Sequence, residues 1–213
     1  MPKQTFFNLP EEKKQRLLQA GFDEFSRVPA DEASISNIIK LAEIPRGSFY
    51  QYFEDKFDLH TYLLEQRTKY LQNLWVKLLR ENDGDLFAAL PVFFERFLDE
   101  IVDEHQVNFW KNTFSSFRSA ALTRKKVIAR QNKQPNLVHN RGDIFKKEIN
   151  FDLLKIDFSD ETFELLRRQI ITMMMQSINQ YFFSQKLGED NPRQKALDQF
   201  DILIDWLGNG IRR

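Results

Sequence analysis

A chain of 213 residues has room for one or two domains with a real core, and 42% hydrophobic with 29% charged side chains excludes a disordered polymer. It contains no Cys, which excludes disulfides, thiolate zinc ligation and thiol catalysis, and no apolar run approaches the roughly 20 residues of a membrane span. Lys plus Arg equals Asp plus Glu at 31 each, so bulk charge points to no polyanionic partner.

In chain order, Leu18, Phe22 and Phe25 at helical spacing predict a helix from Pro10 to Arg27, with Asn8 and Glu11 as its capping pair. Val28-Pro29-Ala30-Asp31 breaks it. A short helix follows from Ser36 to Ala42 with Ser34 as its N-cap, and after Glu43-Ile44-Pro45 a second short one spans Arg46 to Tyr52. A long helix is predicted from Lys56 to Glu81, where Leu59, Leu63, Tyr70, Leu71, Leu74 and Leu78 recur at steps of three and four. Asn82-Asp83-Gly84 ends it, and Asp85 starts the next. Helical patterns then cover 86–104, 107–120, 122–148 (interrupted near Pro135 and Gly142), 160–187 and Pro192 to Leu207. The expectation is an all-α protein with a domain over 1–55, a second over 56–213, and the helix 56–81 connecting the two.

Two short helices joined by a tight turn over 34–56 have the layout of a helix-turn-helix, in which the second helix enters the DNA major groove. Ile38, Ala42, Ile44 and Phe49 are placed to pack the pair together, and Phe49 and Phe53 are expected in its core. Across Ser34, Ile38, Ala42, Ile44, Pro45, Arg46, Gly47, Ser48, Phe49, Tyr50, Tyr52, Phe53 and Lys56 the sequence resembles the TetR family of regulators. It departs from that pattern at Glu43, where the family has Gly in the turn, and at Ile39, where Ala is usual.

The resemblance implies a ligand-responsive transcriptional regulator, usually a repressor. It would act as a homodimer on a palindromic double-stranded operator and be released by a small-molecule inducer. It assigns Ser34 and Ser36 to phosphate contact, and Pro45, Arg46, Gly47 and Ser48 to the opening of the reading helix. Tyr50, Gln51 and Tyr52 are its further outward candidates, and Lys56 should meet the flanking DNA backbone. Independently, Arg46 is chemically suited to guanine or phosphate and Gln51 to adenine.

The segment 160–187 carries two apolar stripes, and a helix apolar on two sides must be covered on two sides. Its own domain covers one; a second subunit is expected on the other, through Ile171, Met174, Ile178 and Phe182 with Leu203 and Trp206 of the last helix. Phe93, Phe97, Trp110, Phe114 and Phe117 are the candidate effector contacts, although an aromatic stripe at helical spacing is more often plain core. Residues 105–142 hold eight Lys and Arg, from Lys111 to Arg141, and no acid; this run either solvates a helix and loop, as long charged runs usually do, or edges a pocket for an amphipathic or anionic inducer. The contrasting reading is a helical adaptor that binds an anionic partner through 111–141. His60, His105 and His139 lack metal-site spacing, and no phosphate loop or nucleophile motif is present, so no metal, no cofactor and no enzymatic activity are expected. No signal-peptide core follows Met1 and no membrane partner is expected, so a cytoplasmic protein is the expectation.

Overall fold

The computed structural model describes residues 2–122, 146–155 and 159–211, with side chains over these ranges except at 117–122. Their regular elements are helical, as the periodicity requires. They are α1 (Gln4–Phe7), α2 (Glu11–Arg27), α3 (Ile35–Leu41), α4 (Arg46–Tyr52), α5 (Lys56–Glu81), α6 (Leu86–Val102), α7 (Val107–Leu122), a 3-10 turn (Phe151–Leu153), α8 (Asp160–Leu187) and α9 (Pro192–Ile211). The helix expected over 122–148 falls almost wholly outside the described residues.

Helix ends follow local chemistry, with one correction. α2 lacks the cap expected from Asn8 and Glu11: Pro10 occupies the cap position in an extended conformation, and Glu11 accepts from Lys14 and Gln15 at 3.0 and 2.6 Å. After α5, Gly84 takes φ +78° and its N–H returns to the Leu79 carbonyl at 2.8 Å. Asp85 Oδ1 then accepts the Phe87 and Ala88 amides at 2.9 and 3.1 Å and starts α6. A Cβ on Gly84 would lie 2.6 Å from the Asn150 nitrogen, so backbone approach as well as φ demands glycine there.

Two compact units divide the described residues: those up to Tyr70 with Ile101 to Leu122, and those from Leu71 to Glu100 with 146 onward. The units interleave along the chain, so α7, assigned by sequence order to the second domain, packs on α2 in the first. In the first unit α2 and α5 approach closely at Gly21, where a Cβ would stand 2.7 Å from Leu59 Cδ2. Phe6, Leu17, Phe25, Ile38, Phe49, Phe53, Leu59 and Phe109 are fully buried there. In the second unit α8 and α9 form an antiparallel pair. Phe200 of α9 stacks on Phe94 of α6 with centroids 4.1 Å apart, and Arg193 bonds Asp99 at 2.8 Å and Glu95 at 3.0 Å.

Candidate nucleic-acid interface

The start of α3 is organised by a buried carboxylate that sequence reading passed over. Glu24 of α2 is 2% exposed and accepts the Ser34 N–H at 2.7 Å, Arg27 Nη2 and Nε at 2.9 and 3.0 Å, and the Asn37 amide at 3.3 Å. Burial alone would raise its pKa; the hydrogen bonds from Arg27, Ser34 and Asn37, with the Arg27 charge, outweigh burial and hold it below the ordinary Glu range. Ser34 is extended at the N-cap, as expected, but its side chain caps nothing; its backbone N–H is what anchors the helix.

The turn between α3 and α4 closes as a Schellman motif. The Ile44 N–H bonds the Ile39 carbonyl at 3.1 Å and the Glu43 N–H bonds the Lys40 carbonyl at 3.3 Å. Glu43 therefore sits at φ +53°, the left-handed conformation that glycine adopts without strain, so the unusual residue leaves the shape of the turn intact. Arg16 reinforces it from α2, donating to the Ala42 carbonyl at 3.0 Å and lying 3.6 Å from the Glu43 carboxylate.

α4 separates its faces cleanly. Phe49 and Phe53 are fully buried, while Pro45, Arg46, Gly47, Tyr50 and Gln51 are exposed and Ser48 and Tyr52 are half-buried. Arg46 Nη1 donates to Ser36 Oγ at 3.3 Å, and its guanidinium lies 6.0 Å from the centre of the Tyr50 ring. A Cβ on Gly47 would meet nothing within 4 Å. The Lys56 ammonium donates to the Ala33 carbonyl at 2.8 Å and to the Asp31 carbonyl, tying the loop before α3 to the start of α5.

Polar side chains of α7 hold the other end of this lead-in. Asn112 Nδ2 donates to the Phe25 and Ser26 carbonyls at 3.0 and 2.9 Å, satisfying the open end of α2, and Ser116 Oγ accepts the Ala30 N–H at 3.1 Å. His60 of α5, buried against Phe25 and Phe109, bonds Thr113 at 3.0 Å; burial lowers it to about 4, so it is neutral at physiological pH. No local pattern marks Asn112 or Thr113, because their partners lie far away in sequence.

The candidate effector residues do not share one unit. Phe93 packs with Trp75 and with Phe97 in the second, and Trp110 stacks on Phe114 at 5.7 Å in the first. The Phe117 side chain and most of the basic run to Arg141 lie outside the described residues. A cleft of about 240 Å³ in the second unit is lined by Phe87, Pro91, Asp201, Ile204, Asp205, Gly208 and Asn209, none of them in the expected set. Of the candidate dimer residues, Ile171 and Trp206 are exposed and Phe182 and Leu203 half-buried. Met174 and Ile178 are buried within their own chain, at 7% and 1% exposure. Leu165, Phe183, Leu187 and Ile202 are exposed apolar side chains on the same two helices that the stripe reading missed. Among the described residues no helix is long and apolar enough to cross a membrane.

Comparison with known proteins bears on both parts of the chain. Residues 17–62 match the family model for bacterial regulatory proteins of the tetR family, and residues 85–211 match that for the tetracyclin repressor-like C-terminal domain. The HTH-type transcriptional regulator YvdT of Bacillus subtilis is 26% identical over 205 residues, covering 84% of this chain and 98% of that protein. The transcriptional regulator AcuR of Cereibacter sphaeroides is 33% identical over 79 residues, 37% of this chain and 36% of its own. Among solved structures, a TetR-family regulator from Streptomyces coelicolor aligns with TM-score 0.56 at 22% identity, covering 92% of this chain and 78% of that one. Another from Mesorhizobium loti aligns with TM-score 0.54 at 15% identity, covering 95% and 98%. At such identities the structural likeness speaks for the fold.

Proposed function

The chain belongs to the TetR family of bacterial transcriptional regulators, and from that premise we propose that it is a homodimeric repressor of a palindromic operator, released by a small-molecule inducer in the cytoplasm. The observation that carries the reading is the division of α4: its apolar side is consumed by packing, while Arg46, Tyr50 and Gln51 stand outward beside Ser36. Arg46 then supplies a bidentate donor for guanine or phosphate, Gln51 reads adenine, and Tyr50 with Ser36 holds backbone phosphates. The bond from Arg46 to Ser36 is exposed and exchanges readily for a base or phosphate contact.

The second subunit covers the exposed apolar side of α8 and α9, with Ile171 and Trp206 at its centre and Phe182 and Leu203 at its margin. Apolar side chains exposed at 42% and 69% there are better explained by a covered face than by water. The inducer is amphipathic or anionic, drawn to the acid-free run that begins at Lys111, and it acts by favouring a non-binding state of the dimer.

Selection of duplexes from a randomised pool with the purified protein tests the reading. An inverted repeat with half-sites about 34 Å apart is expected, and Arg46→Ala should weaken binding by about 1–3 kcal/mol and relax preference at one base pair. Failure to enrich any repeat would overturn it.

A further inference from the structure

A helix of seven residues cannot satisfy its own C-terminal carbonyls. In α4 only one of the last four is bonded from the residues that follow, Phe49 oxygen by the Phe53 N–H at 2.9 Å. The other three are taken by a segment some fifty residues away. Lys3 Nζ donates to the Tyr50 carbonyl at 2.6 Å, the Thr5 hydroxyl donates to the Gln51 carbonyl, and the Lys3 backbone N–H donates to the Tyr52 carbonyl at 2.8 Å. The segment is anchored rather than laid on the surface. Pro2 is buried, and Phe6 is fully buried against Phe53 and Tyr62, with centroids at 4.9 and 5.3 Å.

From this we propose that residues 2–6 form a clamp on the reading helix, with Lys3 and Thr5 as positioning residues for DNA recognition. The inference rests on the regulator reading and extends it to a segment ahead of the matched family region, which starts at residue 17. Three donors converge on successive carbonyls of one helical turn, so they fix both the tilt and the rotation of α4, which carries Arg46 and Gln51. The Lys3 ammonium also opposes the negative end of the helix dipole. Without the clamp, the last turn of α4 must find water for three carbonyls, and it frays. Phe6 and Phe53 still hold the core, so the loss falls on the geometry of the reading surface and not on the fold.

The test uses the full chain with Thr5→Val, which keeps the shape and removes the donor, Thr5→Ser, which restores it, and Lys3→Met. Two readouts are taken: amide hydrogen exchange of 46–53 without DNA, and affinity for a duplex that the wild type selects from a random pool. Thr5→Val and Lys3→Met should each speed exchange at the end of α4 and weaken binding about five- to tenfold, a modest loss for a single hydrogen bond. Melting temperature should stay within about 3 °C, as for other surface changes, and Thr5→Ser should behave as wild type. For Lys3→Met the salt dependence of binding should be unchanged; a slope reduced by about one would make Lys3 a direct phosphate contact and overturn its positioning role. Unchanged exchange in Thr5→Val overturns the clamp itself, and faster exchange with unchanged affinity overturns its part in reading. If the wild type selects no duplex, the regulator reading fails, while the exchange measurement still decides whether the clamp exists.

Discussion

Replacing Glu24 by alanine removes the one group that holds the lead-in loop, α2 and α3 to a common point. The carboxylate accepts one backbone and two side-chain partners from a site 2% exposed. A hydrogen bond to a charged group contributes about 1.5–3 kcal/mol, and the Ser34 N–H at 2.7 Å is the best of them. The Arg27 side chain is 56% exposed and recovers water, so that pair adds no more than about 1 kcal/mol. The 3.3 Å contacts to Asn37 add little, and removal of a buried charge returns part of the loss. The net cost is about 2–3 kcal/mol at neutral pH, or roughly 5–10 °C in Tm for a chain of this size. Linkage gives a second, independent signature. Because the folded pKa is depressed below the unfolded one, the carboxylate's contribution is complete above the unfolded pKa of about 4.3 and is lost as pH falls through the folded value. Thermal unfolding of wild type and Glu24→Gln from pH 7 down to pH 3.5, at fixed protein concentration, should therefore show a gap that narrows below about pH 4.5. A gap that stays constant or widens, or a Glu24→Ala variant within about 0.5 kcal/mol of wild type at pH 7, would refute the assignment.

Glu43→Gly should raise stability by up to about 1 kcal/mol, because relief of the left-handed φ exceeds the loss of an exposed contact to Arg16 at 3.6 Å; denaturant unfolding measures it, and a loss of stability would show that the Arg16 contact dominates. Gly84→Ala should cost more than about 2 kcal/mol, since its Cβ would stand 2.6 Å from the Asn150 nitrogen at a positive φ; a neutral melting curve would contradict that packing. Gly47→Ala should stabilise the free protein by about 0.5–1 kcal/mol through helix propensity, since its Cβ meets nothing in the chain. It should also weaken binding to a selected duplex, because the added methyl stands where DNA backbone would approach; wild-type affinity would remove Gly47 from the contact surface.

How legible the interface was in sequence depended on whether the deciding contacts are local. The two short helices, the buried Phe49 and Phe53 and the outward Arg46 and Gln51 follow from periodicity over a few residues, and all are found. Glu43 was legible as an anomaly, and the left-handed φ shows that the turn geometry overrode residue preference. What went unread is long-range: Glu24 meeting Ser34, Asn112 meeting Phe25 and Ser26, and Lys3 and Thr5 meeting the end of α4 across nearly fifty positions. A charged residue at a buried helical position, such as Glu24 one step before Phe25, was the only trace any of these left in the pattern. Lys56 carries a second, long-range role that the motif position does not reveal, since its ammonium also ties two carbonyls of the loop before α3.

The same limit explains the C-terminal helices. On α8, Met174 and Ile178 lie one turn beyond Ile170 and Met174 respectively, so at 3.6 residues per turn they belong to the side already begun by Phe163, Leu166 and Ile170. The structure buries all of these together. Ile171 is rotated about 100° from Ile170 and comes out at 42% exposure. Two stripes drawn through neighbouring columns of one helix are thus a single wide face with an exposed margin. Sequence alone could not place the margin, because its position depends on how far α9 rotates against α8. Trp206 fixes it in the folded chain: exposed at 69% on a helix whose Phe200 and Ile204 are buried, it lies on the side that α8 leaves open. A partner subunit meeting that side would bury Trp206 first, so Trp206→Glu should dissociate the proposed dimer while leaving the helical content of the monomer intact. Sedimentation and circular dichroism on the same sample decide it, and a dimer that survives with a glutamate at 206 would place the interface on another face.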